Sequence, residues 1–371
     1  VIVSWQDSRG SSGNDIYAQR ISPAGAVQWA ANGVALCMAT GEQLNPTMVS
    51  DSSGGAVVAW QDQRSSDGDI YAQHVSAAGV AEWTTNGVPI CTASGMQLDA
   101  AITSDGVGGA IVAWDDRRNG LVVYAQRVSA AGAVQWAANG VPLHTTAQGS
   151  LENPALLSDG VGGAFVTWSD SRSAGPHIYA QRVSAAGAVQ WAADGVPLCT
   201  APAYQVNPVI ASDGSGGAIV TWRDWRAGPF DIYAQRISPA GVVQWQTDGV
   251  TISAQSGNQH LPSIVPDGAG GAIITWKDDR GGNASDVYAQ RVNAVGLTLW
   301  LADGVALSLT AYSNENTPAI AADGAGGAII AWETARPNSG YDIFAQRVFA
   351  AGRIDLADLR HRGLVRYDIE P

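Results

Sequence analysis

Asn153-Pro-Ala-Leu-Leu-Ser-Asp159-Gly-Val-Gly-Gly163-Ala-Phe-Val-Thr-Trp168 is the stretch that decides the fold. Its first seven residues alternate enough to form a strand, a. The glycines supply the positive φ values that a tight hairpin needs. Ala164 to Trp168 reads as a second strand, b, apolar on both faces, as a sheet sandwiched between two others requires. A variable loop leads to strand c, His177 to Val183. Ser184-Ala-Ala-Gly187 then turns into strand d, Ala188 to Trp191, which is expected to run on to Gly195-Val-Pro-Leu198.

The same unit recurs along the whole chain. Trp5, Trp60, Trp114, Trp168, Trp222, Trp276 and Trp332 follow one another at steps of 55, 54, 54, 54, 54 and 56 residues. Each is followed four residues later by Arg, from Arg9 to Arg336. A fixed period of this length means one supersecondary unit copied many times. Four short strands per unit predict an all-β chain, a single seven-bladed β-propeller over residues 1–371. Its repeats begin near 1, 45, 99, 153, 207, 261 and 317. A β-solenoid is the rival, but its coils are usually shorter. Repeat one lacks strand a, and repeat seven lacks the Trp that the others carry before strand d (Trp29, Trp83, Trp136, Trp191, Trp245, Trp300). The divergent tail 353–371 is expected to close the ring. Arg353 to Leu356 would serve as the last strand d, and Gly363 to Ile369 as the first strand a, removing exposed edges.

Composition narrows the partners. The chain has 46% hydrophobic and 14% charged residues, enough to bury a large core. No apolar run approaches the ~18 residues that would span a bilayer, so membrane insertion is not expected. The net charge is −13 and Lys277 is the only lysine, which argues against nucleic acid or an anionic membrane as partner. The chain opens in mid-strand with Val-Ile-Val-Ser-Trp5, and we expect it to be a mature or excised piece of a longer polypeptide. Cys37, Cys91 and Cys199 stand at one repeat position, where other repeats carry His144, Ser253 and Ser308. Equivalent positions in packed sheets lie ~10 Å or more apart, beyond the ~7 Å reach of a disulfide. Free, semi-buried thiols are expected.

Loop lengths separate two faces. From the strand-c aromatic to the following Trp the distance is 12 residues in all six complete repeats, and from the strand-a Asp to the strand-b Trp it is always 9. Variation is confined to the b–c loops, where Arg to the strand-c aromatic runs 8, 7, 6, 7, 7, 8 and 8, and to the d–a segments of 22 or 23. In an up-and-down blade those loops share one face, and binding groups usually sit on such loops.

Recurrent polar residues read first as framework. Trp-x-Asp-x-Arg occurs in six repeats, and the seventh has Thr334 in place of Asp. At period two the three side chains point to one side of the strand. Sevenfold recurrence favours blade glue over a charged ligand ring, with each pair individually modest. The strand-c Gln (Gln19, Gln73, Gln126, Gln181, Gln235, Gln290, Gln346) is expected to latch neighbouring backbone. Ser-Asp-Gly-x-Gly-Gly superficially resembles the Asp-box of sialidase-type propellers, but its Trp comes several residues too late. The five histidines (His74, His144, His177, His260, His361) show no metal-ligand spacing, so no metal or cofactor is expected. No nucleophile triad or phosphate loop is present. A pair of carboxylates for glycoside hydrolysis drawn from acids such as Asp7, Asp62 and Asp116 stays open.

Asp-Ile-Tyr-Ala-Gln-Arg (Asp15–Arg20, Asp231–Arg236), preceded by Trp-x-Asp-x-Arg and followed by Gly-x-x-x-Trp and Asn-Gly-Val, resembles a repeat of large secreted bacterial proteins. Those proteins often carry cell-surface sorting or adhesion-type modules. The resemblance covers residues 1–352 and implies an extracellular or cell-surface bacterial propeller, with no catalytic residues to carry over. The expected role is a binding or structural module without catalysis, taking glycan or protein on the variable-loop face. The alternatives are a subunit of a larger extracellular assembly and a polysaccharide hydrolase or lyase.

Three aromatics outside the repeat mark the candidate site. Trp225 and Phe230 lie in the b–c loop of the fifth repeat, and Tyr204 lies in the d–a loop entering it. Several other repeats have Ser, Asp or Gly at the positions of Trp225 and Phe230, so the core does not require these rings. Exposed aromatics in one patch suit stacking on sugars or anchoring a protein. Filling of the loop is the equally weighted plain reading.

Overall fold

The computed structural model describes residues 1–10, 13–65, 67–145, 151–172, 175–282, 284–308, 314–336 and 340–354. Among them are seven antiparallel sheets and no helix. This is the all-β, seven-bladed β-propeller class that the repeat predicts. Five sheets have four strands, and the first and last have three. The last sheet comprises Asn314–Ala322, Ala328–Arg336 and Gly340–Val348. The expected closing strand from Gly363 to Ile369, and half of the segment from Arg353 to Leu356, lie outside the described residues.

The chain divides into two compact units. One holds Val1–Ser173 and Tyr179–Val196, and the other holds Ala174–Ile178 and Pro197–Pro371. Each is built from the same blade.

Strand b is the core of every blade. All seven residues of Ala110–Asp116 are buried, and so are all seven of Ala56–Asp62. Trp60, Trp114, Trp222 and Trp276 are fully enclosed. The a–b turn is closed by its Asp. Asp105 Oδ1 accepts the N–H groups of Val107 and Gly109 at 2.9 and 2.8 Å. Gly109 admits no side chain, because a Cβ there would stand 2.3 Å from the Val128 carbonyl oxygen. Asp105 Oδ2 meets Arg127 of strand c at 3.0 Å, so the turn is also pinned to the third strand.

Strand a carries a bulge. Pairing of Gln97 with Asp116 and of Leu98 with Asp115 breaks off and resumes at Ala101 with Ala113. The odd residue is left-handed: Asn45, Asp99, Asn207, Leu261 and Thr317 have φ between 46° and 54°. Asn and Asp tolerate this region better than β-branched or bulky residues, and the bulge re-aims the remainder of the strand.

Strand d begins later than the sequence predicts. It comprises only Val196–Cys199 in the fourth blade, while Val189 makes an isolated bridge to Val183 and Trp191 lies in the segment between. The reason is the strand-c glutamine. Gln73 Nε2 donates to the Thr84 carbonyl at 2.9 Å, and its Oε1 accepts from the Trp83 backbone at 2.9 Å. These bonds replace a ladder, and a left-handed Asn86-Gly87 pair then turns the chain into Val88–Cys91. The latch role expected for the glutamine is thus what the structure shows.

The freed Trp serves the next blade. Trp29 Nε1 donates to the Ala77 carbonyl at 3.1 Å, and Arg20 Nη1 donates to the same oxygen at 3.0 Å. The ring lies over Gly79, where a Cβ would come within 2.6 Å of it. Trp83 over Gly132 and Trp245 over Gly296 repeat the joint.

Candidate functional site

The residues of Trp-x-Asp-x-Arg divide by strand face. In blade two, Asp62 Oδ2 accepts from Trp60 Nε1 at 2.8 Å and from Arg64 Nη2 at 2.6 Å. Its Oδ1 accepts the Arg64 backbone N–H at 2.9 Å and Nε at 2.8 Å. The guanidinium continues to the Asn86 carbonyl at 2.7 Å and lies 3.8 Å from the centre of the Tyr71 ring. Blades three, five and six repeat the arrangement around Asp116, Asp224 and Asp278. The candidate acids Asp7, Asp62 and Asp116 are therefore engaged by their own Trp and Arg. Arg9 holds the Asp7 carboxyl well below the usual carboxylate range. Asp62 and Asp116 have no exposed surface and their arginines little, so these pairs are the structural blade glue expected, set in a buried framework.

Cys37, Cys91 and Cys199 join that framework. They are free and buried, with Sγ 3.8 Å from Asp62, Asp116 and Asp224 respectively. They are more enclosed than expected, each about 1% exposed. Burial pushes the Cys199 thiol up to about 12.

The three predicted aromatics come together on the opposite face of strand b. In blade five, Gln205 pairs with Asp224 and Asp224 with Asp231, while Val206, Arg223 and Ile232 form the next row. One step beyond the ladder, the Tyr204 carbonyl accepts from the Trp225 N–H at 2.8 Å. Phe230 immediately precedes Asp231. Period two places Tyr204, Trp225 and Phe230 on the face that carries Val206, Arg223 and Ile232. The rings stack in sequence. Tyr204 and Trp225 centroids are 5.3 Å apart at 18°, and Trp225 and Phe230 are 5.8 Å apart at 26°. Arg223 covers Phe230, its guanidinium carbon 4.0 Å from the ring centre. Tyr204 and Trp225 remain 45% and 43% exposed.

Backbone conformation marks the same place. Gly41, Gly95 and Gly257 are left-handed where the d–a segment turns into strand a. Blade five has Ala203 there, at φ 76°, immediately before Tyr204. Left-handed alanine costs about 1–2 kcal/mol, and such outliers collect at sites where the surroundings hold a particular side chain in place.

Sequence reading missed the polar part of this site. Arg223 Nη1 donates to Asn207 Oδ1 at 3.3 Å, so the left-handed bulge residue helps position it. Across from it, in blade six, His260 sits opposite Lys277 in register. Lys277 Nζ donates to Asn316 Oδ1 at 2.8 Å. His260 Nε2 lies 3.1 Å from Asp279, whose other oxygen accepts from Ser285 at 2.6 Å. Burial lowers the His260 pKa, and the nearby positive charges of Arg223 and Lys277 lower it further against Asp279. The available signal was the first x of Trp-x-Asp-x-Arg, which reads Gln6, Gln61, Asp115, Ser169, Arg223, Lys277 and Glu333. Only neighbouring blades five and six are basic there.

A second recess lies in blade two. It encloses about 320 Å³ and is lined by Arg64, Asp67, Asp69, Tyr71 and Thr92 among others. It has no exposed aromatic row.

No protein-family model matches the chain, and the search of curated proteins found no match. Solved structures do resemble it. An ulvan lyase, described as a polysaccharide lyase and solved bound to a GlcA(1-4)Rha3S oligosaccharide, has a TM-score of 0.56 at 9% identity, covering 97% of this chain and 92% of its own. A lectin from Burkholderia pseudomallei has a TM-score of 0.56 at 13% identity, covering 93% of this chain and 91% of its own. At these identities the likeness is one of fold.

The lyase corrects one expectation. The sequence motifs predict a protein without enzymatic activity, yet this fold carries a polysaccharide lyase over nearly the whole chain length. The fold is compatible with an enzyme. The expectation rested on finding no catalytic motif, and loops from separate blades can assemble residues that no local motif displays.

Proposed function

We propose that the protein binds carbohydrate at the face carrying the variable loops, with Tyr204, Trp225 and Phe230 as the platform. The observation that carries this reading is the exposed, stacked aromatic row, which no repeat constraint demands. A pyranose ring presents a C–H face that packs on an aromatic plane, and its hydroxyls need polar groups at the rim. Asp279, Asn258 and His260 provide acceptors and donors there; Asn258 Oδ1 already receives the Phe230 N–H at 3.0 Å. The solved lectin and lyase of similar fold support the reading as proteins of carbohydrate chemistry. We further propose an extracellular or cell-surface bacterial setting, from the resemblance of the repeat to secreted bacterial proteins. No helix among the described residues is long and apolar enough to cross a membrane.

A glycan array followed by titration calorimetry tests the proposal. The Tyr204→Ala, Trp225→Ala double variant is expected to weaken the leading glycan at least tenfold, since each lost stacking contact is worth about 1 kcal/mol. Unchanged affinity in the folded double variant would overturn the assignment.

A further inference from the structure

Basic side chains are scarce in this protein and almost all serve the frame. Those outside the repeat positions and outside residues 353–371 are Arg117, Arg223 and Lys277. Two of these three stand in neighbouring blades beside one aromatic row. Arg223 covers Phe230 from one side, and both Arg223 and Lys277 are near enough to His260 to oppose its protonation. Asn207 and Asn316 hold the two cations through amide oxygens, which orient a cation without cancelling its charge. Asp279 is the acidic group beside His260, and it is also held by Ser285. Arg223 and Lys277 thus place two basic side chains of neighbouring blades beside His260, in a chain of net charge −13.

We propose that this face of blades five and six takes an acidic carbohydrate, with a sugar ring on Trp225 and Tyr204 and its carboxylate or sulfate group held by Arg223 and Lys277. The inference rests on the platform reading above and adds the charge class of the ligand. A planar guanidinium donates two parallel hydrogen bonds to either anion, and Lys277 adds a point charge. The surrounding negative charge of the protein disfavours anionic polymers elsewhere, so local recognition has to come from this pair.

The experiment compares polygalacturonate with its methyl ester, and dextran sulfate with dextran, by affinity electrophoresis and calorimetry. The four probes share backbones pairwise and differ in charge. Binding of at least one acidic member, about tenfold or more over its neutral partner and weakening with salt, is expected. The Arg223→Gln and Lys277→Gln variants should each lose about five- to tenfold on the acidic probe. Trp225→Ala should weaken binding while the remaining affinity keeps its salt dependence. The uronate and sulfate pairs tell which anion is preferred. Equal or tighter binding of the neutral members, abolished by Trp225→Ala, would leave the platform standing and overturn the charge assignment. Acidic binding that survives Arg223→Gln and Lys277→Gln would overturn it as well. Absence of binding to all four probes and to a glycan array would sink both readings.

Discussion

Strand b of blade five and strand b of blade two carry the same alternate residues and different intervening ones. Trp222, Asp224 and Arg226 repeat Trp60, Asp62 and Arg64 atom for atom, down to the Arg bond to the carbonyl before strand d. Between them, Arg223 and Trp225 replace Gln61 and Gln63. The facing residue changes in concert. In blade two Gly68 leaves its place to the Gln61 amide, whose Nε2 would stand 2.9 Å from a Cβ there, whereas blade five has Phe230 beneath Arg223. One face of the strand thus holds the blade together, and the other is free to differ. The frame can be inherited unchanged while the exposed face is altered residue by residue.

Breaking the frame should give the largest effect. Asp62→Ala removes the acceptor of Trp60 Nε1 and leaves Arg64 without its buried partner. A loss of about 3–4 kcal/mol is expected in chemical denaturation, with carbohydrate binding unchanged in the folded fraction. Little destabilisation would mean that the carboxylate is not the hub of the blade.

Acid response sharpens the comparison on strand c. Burial, with the nearby Asp224 carboxylate second, pushes Asp231 up to about 6. The native state therefore holds a proton between pH ~4 and 6 that the unfolded chain releases. Stability from this group is greatest below pH ~4 and falls as pH rises to 6. Blade four shows the alternative. His177 stands at the same strand position, and its Nδ1 lies 2.6 Å from Gln205 Oε1. The equivalent Oε1 of Gln259 is buried without a partner. Asp231→Asn supplies a neutral amide donor, and we expect about 1 kcal/mol of added stability at pH 7. The gain should vanish near pH 4. A gain of equal size at both pH values would show that titration is not its source.

Blade seven offers a repair of similar size. Thr334 replaces the framework Asp, and Trp332 Nε1 and Thr334 Oγ1 are both buried without partners. Thr334→Asp should raise stability by about 1 kcal/mol by accepting from Trp332. No increase in melting temperature would indicate that the indole needs more than a carboxylate at that position. The smallest effect belongs to the open face. Trp225→Ala should cost less than about 1 kcal/mol, because the ring remains half exposed, while removing its share of glycan affinity. A larger loss of stability would make the row part of the core.

Much of this was legible in the chain. The tryptophan step announces the seven sheets, and the spacing of Trp, Asp and Arg at period two places them on one face. Tyr204, Trp225 and Phe230 stand out because repeats expose what does not repeat. The start of strand d is hidden because its hydrogen bonds are taken over by Gln73 and its equivalents, a side-chain substitution for backbone pairing that hydrophobic pattern does not show. Arg223 and Lys277 escape notice because they sit inside a motif and look like filler. The relation of Arg223 to His260 crosses between blades, and no local spacing reports it.

The Trp-on-glycine joint has a genetic meaning. Trp29, Trp83, Trp245 and Trp300 each end one repeat by covering Gly79, Gly132, Gly296 and Gly352 of the next. Plug and socket are encoded within each of the first six copies, so an in-frame duplication among them joins its new neighbours with a ready-made contact. Segments 128–143 and 183–198, identical but for Asn139 and Asp194, are what recent copying leaves behind. A chain so written can lengthen by recombination first and acquire a new surface by point mutation afterwards.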